Sequence, residues 1–242
     1  MTDQRTAALT GAAGGLGGSI AEALRRAGYR LLLIDRSDHV VDVAKRMAAD
    51  GGDAIGVVAD LTTPGGVAAV FDAVADSGSR LDVLVNNAGT TRDARLVNMT
   101  PEAFDTVIQV NLLAAMNLTF GLEELFSYGS SIVNISSRAA LGNFGQANYV
   151  TSKSALIGFT RALAQSWSPR VRANAVAPGL INTPMTQAMP ADVLTKLVDA
   201  TPAARIGTPD DVAAAVVFLA SENAAYVNGQ VLTVCGGRSI AP

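Results

Sequence analysis

The sequence is poor in the residues from which metal sites and covalent cross-links are built. It has one cysteine and one histidine among 242 residues. Cys235 on its own can form neither an internal disulfide nor a thiolate metal cluster, and we expect a buried, inert side chain there. His39 cannot build a histidine metal centre alone, and its place at the start of a predicted helix favours a solvated side chain. We therefore predict no metal site and no catalytic triad built on histidine.

Charged residues are also scarce, at 16% of the chain, and the formal net charge is −3. Lysines and arginines are scattered rather than clustered, so the basic patch of a nucleic-acid-binding protein is missing. No apolar run approaches the roughly 18 residues that a membrane span needs, and the polar N-terminus leads directly into a predicted strand. These absences predict a cytoplasmic protein with neither nucleic acid nor a membrane as its partner.

Apolar residues, by contrast, make up 49% of the sequence and can fill a large core. Short apolar runs alternate with helical patterns, and a run such as Leu31 to Ile34, apolar at every position, is typical of a parallel strand buried on both faces. We predict an α/β fold: one doubly wound (Rossmann) domain over residues 1–242, with a parallel seven-stranded sheet and helices on both faces. The predicted strands are residues 6–10, 30–34, 54–58, 83–85, 131–135, 172–176 and 231–234.

A glycine-rich segment joins the first predicted strand to a helix predicted over residues 16–27. Glycines at such a junction allow a tight turn, close approach of the backbone to a pyrophosphate, and close packing of helix on strand. The first N–H groups of the helix then face the phosphates, helped by the helix dipole. An ordinary glycine-rich turn is the alternative, but the placement between strand and helix favours a dinucleotide site. The predicted contacts are Gly11, Gly14, Gly15, Leu16 and Gly17.

Further motifs follow in order along the chain. They are Asn-Asn-Ala-Gly at 86–89, Asn111, Ser136, Tyr149-x-x-x-Lys153, and Pro178-Gly179 with Thr183. Together with the glycine spacing, this series resembles the short-chain dehydrogenase/reductase family over most of the chain. The resemblance implies an enzyme that interconverts a ketone and a secondary alcohol by hydride transfer with NAD(H) or NADP(H). It also implies a homotetramer, because helices of this family often pair across a two-fold axis and the C-terminal strand region adds a second interface.

Tyr149 and Lys153 are four residues apart in a helix predicted over residues 148–167, so both project from one face. A phenol with a pKa of about 10 is a poor acid near neutrality unless a nearby positive charge favours its anion, and Lys153 would supply that charge. Such a pair alone is more often a surface pair, but Ser136 lies 13 residues before Tyr149 at a strand end, where a hydroxyl can hold a substrate carbonyl. Ser137 is the alternative to Ser136. We predict Tyr149 as the general acid/base.

The resemblance assigns two further roles near this pair. Lys153 would also hydrogen-bond the nicotinamide ribose, and Tyr149 would contact the cofactor. Asn111 would anchor a water that relays protons from Lys153 to solvent. The alternative for Asn111 is a polar residue that caps or bends its helix. The predicted catalytic residues are therefore Asn111, Ser136, Tyr149 and Lys153.

Asp35 ends the second predicted strand, where a carboxylate can accept hydrogen bonds from the adenosine ribose and repel a 2′-phosphate. We therefore expect NAD(H) to be preferred over NADP(H), although the neighbouring Arg36 can contact a 2′-phosphate. A merely polar strand end is the alternative for Asp35. By resemblance, Asp60 and Leu61 contact the adenine, and the alternative for Asp60 is a helix N-cap.

Two other segments complete the predicted site. Asn87, Ala88 and Gly89 are expected to form a wall beside the cofactor, with Asn87 also supporting the structure. Residues 178–183 are expected to close over the nicotinamide, with a plain loop after a strand as the alternative. The mixed apolar pattern of residues from about 185 to 208 predicts a mobile lid that gates the substrate. The residues assigned to this loop are Pro178, Gly179, Ile181 and Thr183, and those assigned to an apolar substrate pocket are Leu141, Phe144, Met185 and Met189. Core packing is the alternative for all four pocket residues.

The segments 142–149 and 87–93 resemble most closely the reductases of 3-oxoacyl thioesters, which act on acyl-carrier-protein or coenzyme A substrates. Two features disagree: those reductases generally use NADPH, and Ser127 stands where they often carry an arginine that docks the carrier protein, with Arg170 as a possible remnant. A catabolic secondary-alcohol or hydroxy-compound dehydrogenase is therefore the alternative. A non-catalytic NAD-binding redox sensor is a more remote one, which the presence of Tyr149 and Lys153 disfavours.

Overall fold

The computed structural model describes residues 4–187 and 189–240, and the side chain of Met185 lies outside this description. Seven strands form one sheet in which every neighbouring pair is parallel. They are β1 Thr6–Thr10, β2 Arg30–Asp35, β3 Ala54–Val58, β4 Leu81–Asn86, β5 Phe126–Ile135, β6 Val171–Pro178 and β7 Val231–Val234. Their order in the sheet is β3-β2-β1-β4-β5-β6-β7. The strand order reverses between β1 and β4, the point beyond which doubly wound folds bind their ligands.

Helices cover both faces of this sheet, as predicted. They are α1 Gly15–Arg26, α2 His39–Ala49, α3 Pro64–Asp76, α4 Pro101–Ile108, α5 Ala114–Gly121, α6 Ala147–Ser166, α7 Pro184–Gln187, α8 Ala191–Asp199 and α9 Pro209–Ala220. The apolar sides of α1, α2 and α9 pack on one face and those of α3, α5 and α6 on the other, giving two cores with the sheet between them. The α/β doubly wound prediction is confirmed.

Burial follows the position of each strand in the sheet. Residues 31–34 of β2 are fully buried, whereas Ile55 and Val58 of the edge strand β3 and Leu232 of the edge strand β7 are exposed. Four strands, β2, β4, β5 and β6, are longer than predicted, because the apolar pattern stops at polar residues that the sheet accommodates. Asn86 at the end of β4, for example, donates a hydrogen bond to Asn134 of β5 across 2.8 Å.

The stretch Pro101–Gly121 is, by length and composition alone, apolar enough to cross a membrane, although the sequence analysis found no such run. Its place in the fold explains its composition, because α4 packs against α6, and Leu118 of α5 is fully buried against the sheet. The stretch also carries Asn111, whose buried side chain forms three hydrogen bonds within the protein. One side of this stretch is thus packed within the fold, and 33% of its apolar window is buried.

Candidate active site

The glycine loop between β1 and α1 has the shape of a phosphate cradle. Gly11 has a φ of +67°, and a Cβ there would lie 2.9 Å from the Cα of Ala88; a Cβ on Gly17 would overlap the carbonyl of Gly11. Gly14 is the N-cap residue of α1 and offers no side chain to the first turn of this helix. The N–H groups of that turn are therefore available to an anion.

The ends of β1 and β4 are tied together beside this loop. The hydroxyl of Thr10 accepts hydrogen bonds from the backbone N–H groups of Asn87 and Ala88, both at 2.9 Å. The amide of Asn87 donates to the carbonyls of Thr10, at 3.0 Å, and Gly11, at 3.2 Å. The predicted structural support by Asn87 is present, and it fixes the backbone where the strand order reverses.

A cleft of about 710 Å³ opens beside the glycine loop. Its walls include many of the residues that the sequence predicts as cofactor contacts: Gly11, Asp35, Arg36, Asp60, Leu61, Ala88 and Gly89. Asp35 faces it with both carboxylate oxygens fixed, one accepting from the N–H of Ala13 at 3.1 Å and the other from that of Ser37 at 3.0 Å. With its cradle lacking Cβ atoms and a carboxylate at its side, the cleft fits a dinucleotide cofactor.

Asp60 is not a helix N-cap, so the alternative given for it is wrong. The residue that caps α3 is Thr63, whose hydroxyl accepts from the N–H of Gly66. The carboxylate of Asp60 accepts from the hydroxyl of Thr62 at 2.6 Å and from its N–H at 2.9 Å, and these bonds lower the pKa of Asp60. A negative charge is thus held at the edge of the cleft.

Tyr149 and Lys153 project from the first turns of α6 towards the end of β5. Burial raises the pKa of the half-buried Tyr149 phenol, a hydrogen bond with the Ser137 side chain opposes this rise, and the charge of Asp93 adds to it. Lys153 is buried, and its Nζ donates to the carbonyl of Ile135 at 2.8 Å. Burial lowers the pKa of Lys153 from 10.5 to about 8. Its Nζ lies 5.7 Å from the centroid of the Tyr149 ring.

The two adjacent serines have different partners. The hydroxyl of Ser136 is buried and donates to the carbonyl of Lys153 at 2.8 Å, so it joins β5 to α6. The Ser137 side chain, by contrast, is the one that acts on the Tyr149 phenol and lowers its pKa. The spacing to the tyrosine favours Ser136, whereas these contacts favour the alternative, Ser137. Successive side chains of an extended chain point to opposite sides, so a shift of one residue exchanges them.

Asn111 lies in a π-helical turn, Gln109–Leu113, between α4 and α5. Its side-chain oxygen accepts from the N–H of Thr90 at 2.7 Å, and its amide donates to the carbonyl of Thr90 and the hydroxyl of Ser152. The helix is thus irregular at Asn111, which agrees with the alternative given for this residue. Such π-helical turns are frequent at functional sites. A Cβ on Gly89 would lie 3.3 Å from the Asn111 oxygen and 3.4 Å from the Lys153 Nζ, so glycine keeps this corner open.

The loop after β6 lies against the glycine loop. Ile181 is buried and pairs with Gly207, while the Cδ of Pro184 would lie 3.4 Å from a Cβ on Gly15. The N–H of Thr183 donates to the hydroxyl of Thr186 at 2.9 Å, which orders the turn before α7. The loop therefore lies at the edge of the cradle.

The predicted apolar pocket is not an enclosed one. Leu141 is 70% exposed and Phe144 84% exposed, and Phe144 contacts the guanidinium of Arg95. Met189 is also exposed, and the side chain of Met185 lies outside the described part of the structure. Neither Leu141 nor Phe144 belongs to the core, so the alternative of core packing is wrong for these two residues. For an apolar residue in a loop, the sequence does not indicate the direction in which the side chain points.

Cys235 differs from its prediction as a buried side chain, since it is half-buried at the end of β7. Burial raises the pKa of its thiol, but hydrogen bonds with the hydroxyl and N–H of Ser239 outweigh that effect, and the net shift is downward. His39 is exposed at the start of α2, as predicted.

Comparison with known proteins gives the family. The family model described as Enoyl-(Acyl carrier protein) reductase matches residues 11–239. An acetoacetyl-CoA reductase of Acinetobacter sp. (strain RA3849) is 41% identical over 98% of this chain and 98% of its own length. The chain belongs to the short-chain dehydrogenase/reductase family. It is therefore an oxidoreductase of a family that depends on NAD or NADP.

Two other members of the family show how broad the likeness is. The 3-oxoacyl-[acyl-carrier-protein] reductase FabG of Vibrio cholerae is 36% identical over 96% of each chain. The crystal structure of a putative NAD(P)-dependent gluconate 5-dehydrogenase from Beutenbergia cavernae, with bound NADP, has a TM-score of 0.89 and 42% identity, covering 97% of this chain and 96% of that one. Thioester reductases and a sugar-acid dehydrogenase thus have similar sequence identity to this chain.

Proposed function

We propose that this protein is a ketoreductase that interconverts a 3-oxoacyl thioester and its 3-hydroxy form, with Tyr149 as the general acid/base. The observation that carries the proposal is the grouping of the Tyr149 phenol, the Ser137 hydroxyl and the buried ammonium of Lys153 at the end of β5. The substrate class is supported by the acetoacetyl-CoA and 3-oxoacyl reductases among the relatives. Residues 1–242 act in this proposal as one domain.

The nicotinamide cofactor, when bound, supplies the hydride. Ser137 and Tyr149 would both donate hydrogen bonds to the substrate carbonyl, placing two donors where negative charge develops on its oxygen. The phenol of Tyr149 then gives its proton to that oxygen. The positive charge of Lys153, close to the ring and largely shielded from water, favours the phenolate that is left.

Lys153 and Asn111 would return the proton. A pKa of about 8 lets the ammonium release and regain a proton close to neutral pH, which a lysine with its usual pKa does poorly. Asn111 lies beside the same open corner at Gly89, and we propose that it anchors a water there for the relay.

The residues that would hold the cofactor lie along the cleft, in its two flanking loops and in the first turns of α6. The N–H groups of the glycine loop and α1 would bind the pyrophosphate, Lys153 and Tyr149 the nicotinamide ribose, and Asp60 and Leu61 the adenine. The proposed set is Gly11, Gly14, Gly15, Leu16, Gly17, Asp35, Arg36, Asp60, Leu61, Asn87, Ala88, Gly89, Tyr149, Lys153, Pro178, Gly179, Ile181 and Thr183.

NAD(H) is the proposed cofactor because the Asp35 carboxylate is fixed at the rim of the cleft by two backbone N–H groups. A 2′-phosphate near this carboxylate would meet charge repulsion, which Arg36 offsets only in part because its side chain is exposed. The Beutenbergia relative has NADP bound, so the cofactor preference is a separate proposal from the reaction.

The remaining proposals concern assembly. Phe120, exposed on α5, packs against Phe159 of α6 and against Trp167 just after this helix. Phe218 of α9, which packs on the other face of the sheet, and Leu232 of the edge strand β7 are also exposed. Two separate apolar surfaces fit the two interfaces of a homotetramer. Light scattering is expected to give four times the chain mass, and a monomer would contradict the proposal. We further propose a cytoplasmic location, and a lid formed by residues 185–208.

A secondary-alcohol dehydrogenase acting on a hydroxy acid is the second candidate, favoured by the likeness to the gluconate 5-dehydrogenase. One experiment separates the candidates: 3-oxoacyl thioesters, simple ketones, secondary alcohols and sugar acids are assayed with NADH, NAD, NADPH and NADP by absorbance of the reduced cofactor. The proposal predicts the highest kcat/KM for a 3-oxoacyl thioester. A higher value for a hydroxy acid favours the second candidate, and no turnover of any substrate would contradict both and favour a redox sensor.

A further inference from the structure

Arg138 directly follows Ser137, and Arg238 lies in the turn after β7. Neither forms an ion pair with a residue in the described ranges 4–187 and 189–240. Both side chains are half-buried. The Nε of Arg138 is buried and has no hydrogen-bond partner within those ranges. A buried guanidinium N–H without an acceptor is unfavourable, so it calls for an acceptor from elsewhere.

The sheet brings these two arginines together. Arg138 directly follows Ser137 at the end of β5, and Arg238 lies in the turn after β7, where its N–H donates to the carbonyl of Cys235 at 3.2 Å. Only β6 separates β5 from β7, so the strand ends are about 10 Å apart, a gap that two arginine side chains can close. The turn after β7 packs closely on the chain leaving β6, since a Cβ on Gly179 would lie 2.7 Å from the Cα of Cys235.

Electrostatics agrees with this geometry. Burial lowers the pKa of the Arg238 guanidinium, and the nearby positive charge of Arg138 lowers it further. Two positive charges held close together and partly out of water repel each other unless an anion lies between them. Asp93, the acidic residue that influences Tyr149, is bound by the Gln146 amide at 2.8 Å and forms no ion pair with either arginine in the described residues.

We propose that Arg138 and Arg238 form an anion subsite that binds a carboxylate of the substrate, close to its reacting carbon. The inference rests on the proposed function, because Ser137 is taken to hold the substrate carbonyl. The Cα atoms of Ser137 and Arg138 are about 3.8 Å apart. Because side chains of neighbouring residues diverge, it is the long, flexible arginine side chain that brings the guanidinium to an anion near this carbonyl. The phosphates of coenzyme A are separated from the thioester by the whole pantetheine arm, and they do not fit this position.

The carboxylate can come from two sources, which the test distinguishes. One arm compares free 3-oxo acids with their methyl esters, and the other compares coenzyme A thioesters whose 3-oxoacyl chain ends in a carboxylate or in a methyl group. The subsite predicts that kcat/KM is about tenfold to hundredfold higher for the carboxylate member in at least one arm, the range expected for charge-assisted hydrogen bonds. It also predicts that this preference shrinks as salt is added.

The variant used in the test is Arg238→Gln. Arg138 is adjacent to Ser137, so its replacement could also disturb the catalytic serine. Arg238→Gln is expected to raise KM for the carboxylate substrate and abolish the preference, while kcat/KM for the uncharged partner stays within about twofold. Arg161→Gln is the matched control: an exposed arginine on α6, about 18 Å along the helix from Tyr149, whose loss should leave the preference intact.

The outcomes separate the two proposals. Equal kcat/KM for carboxylate and uncharged substrates in the unmodified protein would overturn the subsite and leave the ketoreductase proposal standing. A preference that survives Arg238→Gln would overturn it as well, provided that the variant binds NADH as the unmodified protein does. Absence of turnover with every ketone would instead overturn the proposed function and the subsite with it.

Discussion

The hydroxyl of Ser136 donates a 2.8 Å hydrogen bond to the backbone carbonyl of Lys153. The bond links the end of β5 to the helix that carries the proposed general acid, and it turns Ser136 away from the phenol. Ser137, the next residue, is therefore the serine that meets Tyr149. The two neighbouring hydroxyls have separable roles, one in packing and one in catalysis.

Replacing each serine with alanine tests this separation. Ser137→Ala is expected to lower kcat by about a hundredfold or more, as the loss of an oxyanion donor does. Ser136→Ala is expected to keep kcat within a few-fold and to lower the free energy of unfolding by about 1 kcal/mol, the net value of a buried hydrogen bond. Steady-state kinetics and denaturant unfolding measure the two effects. The reverse ranking of the two kcat values would refute the assignment.

The buried ammonium of Lys153 predicts a pH-dependent stability. Its pKa is about 8 in the folded protein against 10.5 for the free side chain, so burying the charge costs about 3 kcal/mol at neutral pH. Between pH 8 and 10.5 the unfolded chain binds the proton and the folded protein has released it, so this cost disappears as the pH rises.

Lys153→Met isolates that effect. The stability of the unmodified protein, measured relative to Lys153→Met by urea unfolding, is expected to rise between pH 8 and 10.5 and to be level below pH 7. Taking the difference between the two proteins cancels the other groups that titrate in this range. A difference that does not change with pH would show that Lys153 keeps its usual pKa.

The charge of Asp35 predicts the cofactor preference. Asp35→Asn removes the charge but keeps an oxygen that can accept a hydrogen bond from the N–H of Ala13 or Ser37. Like charges a few ångströms apart repel by several kcal/mol, so loss of this charge favours binding of the 2′-phosphate. The ratio of kcat/KM for NADH to that for NADPH should therefore fall by about tenfold or more. Asp72→Asn, an exposed aspartate on α3, is the control and should leave the ratio unchanged. A higher kcat/KM for NADPH in the unmodified protein would contradict the account of Asp35.

The sequence predicts the sheet and the location of the site well, for physical reasons. A strand that is apolar at every position, such as residues 31–34, fits a parallel sheet buried on both faces. The positions of Gly11 and Gly17 are dictated by close backbone contacts, which no other residue permits. Features of this kind leave a clear mark on the sequence.

Side-chain direction in irregular segments leaves no such mark. The choice between Ser136 and Ser137 depends on how the chain leaves β5, and the exposure of Leu141 and Phe144 depends on a loop with no periodic pattern. The pairing of Arg138 with Arg238 joins residues a hundred positions apart, through a strand order that the sequence does not state. Each of these required the tertiary structure.

The central claim is that the Tyr149 phenol supplies the proton, and Tyr149→Phe tests it most directly because it removes one oxygen and keeps the ring. The measurement is single-turnover reduction of the best ketone substrate by NADH, with NADH binding followed by its fluorescence. The account predicts NADH binding within about twofold of the unmodified protein and a rate lower by about 10² to 10⁴-fold. A rate close to that of the unmodified protein, with NADH bound normally, would contradict it.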